Sequence, residues 1–392
     1  MDAKSSASER ARAWFDVYTR DLSTADFHRL ITQDTADAYD FFARGLAEDT
    51  LKTLPWWKRL ALRFRQVFVA FTLRLPPARR AVYIVALAIA LIGLVELFRG
   101  FAMVPMPLGL PFLQIGVLVP TWAVGTFPLL LSLLLVNLLM LLEVADRLTL
   151  KGELEIAREI QLAMLPRGTF STADVEIFGI TRPANTVGGD FYDVLPLPDG
   201  RVILAVGDVS GKGSPAALLM ALLLAVLRTL VDERLDPAPL VERLNVQICR
   251  HSPSSRFITF FYAVYDPKTG ELTYVNAGQN PPIVRRHDGS SDRLTATGVA
   301  LGMFEGSTFK AETTRVAPGD LVVLYSDGIT EAEDPSGRPL EEAGLEEILS
   351  THPSDSPAEL GVKVLAAVEA YANRSRFGDD LTILLLKRAS QR

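Results

Sequence analysis

Four places in the second half of the chain share one arrangement. A run of β-branched and aliphatic residues meets an aspartate beside glycine or serine: "GGD" at Asp190, "VGDVSGKG" at Asp208, "LYSDG" at Asp327 and "GDD" at Asp379 and Asp380. Small neighbours at a strand end let carboxylates converge above a sheet edge without blocking one another. Carboxylates gathered that closely repel unless a cation neutralises them. Oxygen donors with no matching histidine or cysteine favour Mg²⁺ or Mn²⁺ over zinc. One Asp-Gly pair alone is only a turn signal. Its return at four strand ends is what points to a metal site.

Two such ions about 3.5–4 Å apart would share a water, lower its pKa and aim it at phosphorus. They would also offset the charge of a phosphate ester entering an acidic site. No nucleophilic side chain is needed, which agrees with four scattered histidines, His28, His251, His287 and His352. Cys249 is the only cysteine, so neither an intrachain disulfide nor a thiolate zinc site can form. "GDVSGKGS" looks like a phosphate-binding P-loop, but its glycine spacing is short and Gly213, not Ser or Thr, follows Lys212. "GGDF" looks like the opening of a diguanylate cyclase loop. That loop needs an acidic residue after GGD and a metal-binding aspartate upstream; here Phe191 follows, and the partner aspartates lie downstream.

The elements that must position these residues alternate between strands and helices from about Val175 to Lys387. "RVILAVGDVS" reads as a buried strand after a hairpin turn at "LPDG", and "SPAALLMALLLAVLRTLVDER" as a helix. "FITFFYAVYDPKTGELTYVNAG" is a strand–turn–strand hairpin, "DLVVLYSDGITEA" a strand running into a loop, and "LTILLLK" a closing strand. Consecutive antiparallel strands separated by helices predict an α+β layered sandwich and not a parallel βαβ sheet.

The first half is built differently. With 40 basic and 46 acidic residues the net charge is −6, and nothing in the balance suggests nucleic-acid binding. Mean hydropathy is positive, as membrane segments would make it. Residues 1–50 lack a signal-peptide layout and read as short amphipathic cytoplasmic helices, with a capping-box pattern at Ser23 and Asp26. Residues 51–80 carry eight basic side chains and no acidic one, mixed with Trp56, Trp57 and several phenylalanines. That mixture suits a helix in the interface beside anionic headgroups. Residues 81–142 predict a two-helix transmembrane hairpin: "AVYIVALAIALIGLVELF" is one span, prolines break the uncharged stretch after Gly100, and "FPLLLSLLLVNLLMLLEV" is the second, with Pro128 near its start. The basic cluster before the first span places both tails in the cytoplasm of a multi-pass protein. Residues 143–166 continue as a linker helix with a stripe of Leu150, Leu154, Ala157, Ile160 and Met164. The stripe fits a homodimer or packing on the helix's own domain, residues 167–392.

Seven segments in order, "EIQLAMLP", "RPANTVGGDFYDV", "VGDVSGKGSPAALLMA", "NAGQNPP", "LGM", "LYSDGITEA" and "GDDLTILLLK", resemble the bacterial protein phosphatase 2C relatives of the SpoIIE/RsbU branch over about Ile160 to Lys387. The resemblance implies an αββα sandwich and a phosphoserine/phosphothreonine phosphatase using two Mn²⁺ or Mg²⁺ ions. It implies that Asp208 bridges the metals with the Val209 carbonyl as a further ligand, and that Asp190, Asp327 and Asp379 supply the other carboxylates. Asp380 is the weaker member of its pair. Eukaryotic relatives have a histidine where this chain has Ser210, so protonation of the leaving group falls to water at the ions. Lys212 and Arg182 are candidates for contacting the phosphoprotein. The implied substrate is a phosphorylated STAS-domain anti-sigma-factor antagonist in a partner-switching pathway. The alternative is a non-catalytic, phosphatase-like adaptor, against which the four intact aspartate sites argue.

Overall fold

The structure, a computed structural model, describes residues 55, 65, 68–69, 71–72, 75–107, 114–166, 168–253, 255–353, 355–372 and 378–389. The helices expected within residues 1–50, and most of the basic segment 51–80, lie outside the described residues. The chain divides into two compact units, Met1–Arg147 and Leu148–Arg392.

In the first unit, helix α1 (Pro77–Phe98) is followed by a hairpin of β1 (Phe101–Pro107) and β2 (Gln114–Pro120), and then by α2 (Thr121–Met164), which runs on into the second unit. The hairpin departs from the sequence reading, which left this stretch as a proline-broken connection. Proline removes a donor but keeps the extended backbone. The register sets Pro105 opposite Gly116, Pro107 opposite Gln114 and Pro120 opposite Phe101. All three prolines thus fall in one alternating set of pairs, and the other set supplies the ladder's donors. A second correction concerns the next helix: it begins at Thr121, so Pro128 lies inside it.

The two helices meet at glycine. A Cβ on Gly125 would come within 2.7 Å of the Gly93 carbonyl, and one on Gly93 within 3.0 Å of the Gly125 carbonyl. Such close backbone approach is how apolar helices pack where lipid offers no hydrophobic drive. Ser132 Oγ donates to the Ala86 carbonyl at 2.8 Å, and Arg79 pairs with Glu143 at 3.4 Å and Asp146 at 2.7 Å. Outward, the pair shows large apolar side chains such as Leu91, Val95, Leu134 and Leu141.

The second unit is an αββα sandwich. One sheet has the order β11-β8-β7-β6-β5 and the other β10-β9-β12-β13-β4-β3, with every named pair antiparallel. Their central strands are β4 (Val175–Arg182), β5 (Phe191–Pro196), β6 (Val202–Val209), β7 (Ile258–Asp266), β8 (Glu271–Ala277), β12 (Leu321–Tyr325) and β13 (Leu381–Arg388). Shorter edge strands are β3 (Thr169–Ser171), β9 (Ile283–Arg285), β10 (Ser291–Arg293) and β11 (Glu312–Arg315).

Alternation along the strands builds three layers of core. Val202, Leu204 and Val206 of β6 face Val322 and Leu324 of β12 and Leu384 and Leu386 of β13 between the sheets. Ile203, Ala205 and Val209 turn the other way, onto α3 (Ser214–Val231) and α4 (Pro237–His251). Leu381, Ile383 and Leu385 pack under α6 (Glu341–Thr351) and α7 (Pro357–Ala372). By length and composition, three described helices could cross a membrane: α1, the Gly125–Met164 part of α2, and α3. The apolar side of α3 is spent inside the sandwich, where Ala216, Leu219, Met220, Leu223, Leu224 and Leu227 are buried.

Candidate metal centre

The aspartates meet where strands of the two sheets end. Asp190 immediately precedes β5, and Asp208 is the last residue but one of β6. Ser326 links β12 to the one-turn helix α5 (Asp327–Thr330), which Asp327 opens; Asp379 and Asp380 lead directly into β13. The β12 and β13 ends are joined by Ser326, whose Oγ donates to the Asp380 carbonyl at 3.1 Å and accepts the Thr382 N–H at 3.0 Å.

Small residues make the approach feasible. A Cβ on Gly189 would come within 2.9 Å of the Val209 carbonyl and 3.1 Å of Asp208 Oδ1. A Cβ on Gly328 would lie 2.1 Å from the Asp380 carbonyl. At both points only the glycine side of the backbone fits.

The carboxylates strain against one another. Asp190 is 3% exposed, and its Oδ2 has no hydrogen-bond partner. Burial, then Asp208 and Asp380, hold its pKa well above the ordinary carboxylate range. Burial followed by the charges of Asp327 and Asp379 raises Asp208 to about 7, although a hydrogen bond with Asp190 works the other way. Asp327 is raised by burial and then by Asp379 and Glu331, an effect the Gly328 N–H and Lys212 oppose. A partnerless buried oxygen among mutually repelling carboxylates is costly unless a cation joins them. The all-oxygen donor set of Asp190, Asp208, Asp327, Asp379 and the Val209 carbonyl fits a hard divalent ion. Among the described residues, no three His, Cys, Asp or Glu side chains yet stand close enough to enclose one. Asp379 is instead engaged by Lys212, whose Nζ lies 3.0 Å from Oδ2 and also bonds the Gly378 carbonyl.

The other sequence candidates divide. Lys212 lines a cleft beside the centre with Gly328, Glu331, Gly378 and Asp379. Arg182, at the end of β4, is paired with Glu369 of α7. Ser210 faces the α4–β7 connection: its Oγ accepts the Phe257 N–H at 2.9 Å, and its carbonyl accepts from Arg256.

Three supporting residues carry no signal in the sequence beyond their motifs. Asp380 accepts the N–H groups of Ala184 and Gly189, each at 2.7 Å, and of Asp190 at 3.3 Å. It therefore holds the 184–190 loop, while its neighbour Asp379 faces the cleft. Gln161, in the last turn of α2, grips Gly188 through both amide atoms. Asp193, a buried residue of β5, receives Arg228 Nε at 2.8 Å, and the same guanidinium donates to the Met164 carbonyl at 2.5 Å.

Paired antiparallel sheets flanked by helices, with acidic residues at the strand ends, define a protein phosphatase 2C-like fold. The SiaA-PP2C domain of Pseudomonas aeruginosa superposes with a TM-score of 0.54 at 22% identity, over 62% of this chain and 98% of that one. The family described as stage II sporulation protein E (SpoIIE) matches residues 198–389. The phosphoserine phosphatase RsbU of Bacillus subtilis is 30% identical over 240 residues, 61% of this chain and 71% of RsbU. Protein IcfG of Synechocystis sp. is 30% identical over 211 residues, 47% of this chain, and the match spans only 33% of IcfG. The chain belongs to the SpoIIE family.

Proposed function

We propose that this chain is a metal-dependent protein serine/threonine phosphatase held at the cell membrane. The observation that carries the reading is Asp190: a buried carboxylate with a partnerless oxygen, pressed against Asp208, in a chain of the SpoIIE family. Carboxylates kept this close have a use only if positive charge completes them. When bound, a pair of Mn²⁺ or Mg²⁺ ions would supply an activated water and draw charge from the phosphoryl group. Asp208 with the Val209 carbonyl beside it, and Asp190, Asp327 and Asp379, would hold the ions. Gly189 and Gly328 keep that space clear, and Asp380 fixes the 184–190 loop so that Asp190 keeps its aim.

RsbU is a phosphoserine phosphatase, as is RsbP, also of B. subtilis and 25% identical over 246 residues. By that kinship the substrate is a phosphorylated STAS-domain anti-sigma-factor antagonist. Full-length protein in detergent, supplied with a phosphorylated STAS protein, should release phosphate with Mn²⁺ and stop with chelator. Asp208→Asn should remove most turnover while the melting transition stays cooperative. Partner binding without phosphate release would turn the reading toward a phosphatase-like adaptor.

The first unit supports a membrane hairpin. The hairpin α1–α2 shows apolar side chains outward and closes on glycine, Ser132 and Arg79 within. Both tails would be cytoplasmic. Labelling of Pro107→Cys from the cytoplasmic side alone would rule that topology out. Of the linker stripe, Leu150 and Ile160 are exposed and Leu154, Ala157 and Met164 half-buried, a face that a second copy would cover in a dimer. An analytical ultracentrifuge run showing only monomer would remove the dimer.

A further inference from the structure

We propose that Lys212 is a built-in competitor for the ion at Asp379, a positioning residue that sets how tightly the centre takes up metal. The inference rests on the metal-dependent reading above. Lys212 lies between Gly211 and Gly213, whose φ values of 91° and 77° are open to glycine and rarely to other residues. These two residues let the chain turn sharply on either side of the lysine, which lines the cleft. Its ammonium reaches 166 residues along the sequence to the Gly378 carbonyl and lies 3.0 Å from Asp379 Oδ2. The same charge acts on Asp327. The lysine thus stands against two of the carboxylates expected to bind metal.

Three other described cations near the centre are committed elsewhere. Arg182 holds Glu369, Arg228 holds Asp193, and Arg256 donates to the Ser210 carbonyl. The lysine pair is of another kind. Its two side chains are half exposed, at 52% and 40%, and exposed ion pairs are weak and readily exchanged. An ammonium and a divalent ion cannot occupy the same side of one carboxylate oxygen, so one must leave. Lysine fits this role better than arginine, because its compact point charge sits on a flexible stem and can swing away. In consequence Asp379 stays neutralised without an ion, and the centre loads only when the divalent ion outbids the lysine.

The test is calorimetric titration of Mn²⁺ into the full-length chain, a readout independent of turnover. Wild type should bind Mn²⁺. Lys212→Gln should bind roughly fivefold to tenfold more tightly at one class of site, by removal of a competing surface pair and of its repulsion. Lys212→Met, an uncharged side chain of similar length, should do the same, so a defect peculiar to one substitution does not decide the matter. Lys212→Arg should keep the weaker, wild-type affinity. On an Asp379→Asn background, Lys212→Gln should gain much less than on wild type, only what removing its charge from near Asp327 returns. Equal or weaker Mn²⁺ binding by Lys212→Gln and Lys212→Met overturns the role given to Lys212. Failure of wild type to take up Mn²⁺ at all overturns the metal-dependent reading instead.

Discussion

Gln161 holds Gly188 by both ends of its amide: Nε2 donates to the Gly188 carbonyl at 2.8 Å, and Oε1 accepts the Gly188 N–H at 3.1 Å. Gly188 is two residues from Asp190, so the last turn of α2 and the loop that carries Asp190 are ordered together. Gln161→Ala would leave two buried peptide groups without partners, at a cost of about 2 kcal/mol or more. Urea unfolding should show that loss, and phosphate release should fall with it because Asp190 is no longer fixed. Gln161→Glu should also be impaired, since it cannot donate to the carbonyl. Wild-type stability in Gln161→Ala would mean that the contact does not hold the loop.

Adjacent aspartates are expected to fail in different ways. Asp380 accepts three backbone N–H groups, and its replacement by alanine orphans all of them. The expected loss is about 3 kcal/mol, charged hydrogen bonds being the stronger ones. Asp379→Asn removes one cleft-facing charge that is 40% exposed, so denaturation should change by less than about 1 kcal/mol. Its Mn²⁺ affinity should nonetheless fall at least about tenfold, because a charged ligand is gone. Equal stability losses in the two variants would erase this division of labour.

Much of the sandwich is legible in the sequence because its strands are short apolar runs that end at turn residues. β6 and β7 are read correctly because each is a short apolar run bounded by a turn, "LPDG" before β6 and "DPKTG" after β7; with Ile203 and Leu204 in opposite cores, β6 has no polar face to show. The hairpin of β1 and β2 is not legible. Its residues are uncharged and, Gln114 apart, without polar side chains, so no polar turn bounds the strands, and prolines read as breaks without revealing that they fall in one alternating set of pairs. For the centre, the strand-end aspartates announce themselves by their small neighbours. Which of Asp379 and Asp380 faces the cleft depends on a backbone twist of one residue, to which composition is blind. Gln161 and Arg228 are equally hidden, because each acts on a peptide group 27 or 64 residues away.

Protonation should link the centre to stability. Burial and neighbouring carboxylates raise Asp208 from 3.8 to about 7 in the folded chain, and Asp190 is raised as well. Between those limits the folded state binds more protons than the unfolded state, so stability falls as pH rises. In chelator, the melting temperature of the phosphatase unit should therefore be highest at acid pH and decline from about pH 4 to about pH 8. With Mn²⁺ present the decline should shrink or reverse, because bound ions favour the ionised carboxylates. Asp208→Asn in chelator should flatten the slope by removing one raised group. A slope unaffected by either Mn²⁺ or Asp208→Asn would show that these carboxylates do not govern it.

Arg228 should matter more than its position on a helix surface suggests. Asp193 is 1% exposed, and Arg228 Nε supplies its charged partner at 2.8 Å, while a second nitrogen of the same guanidinium caps the Met164 carbonyl. One side chain of α3 thus ties β5 to the C-terminal end of α2. Arg228→Met keeps much of the apolar stem but leaves a buried carboxylate unpaired, and breaking a buried pair in this way costs about 3–5 kcal/mol. Partial exposure of the guanidinium puts the expected loss at the lower end. Arg228→Lys should recover only part, since one ammonium cannot serve both acceptors in the fork geometry of the guanidinium. Asp193→Asn with Arg228→Met should be less destabilised than Arg228→Met alone, because the buried charge has gone; asparagine still accepts the Val194 N–H that Asp193 holds at 3.0 Å. A double variant as unstable as the single one would show that packing, and not the unpaired charge, sets the penalty.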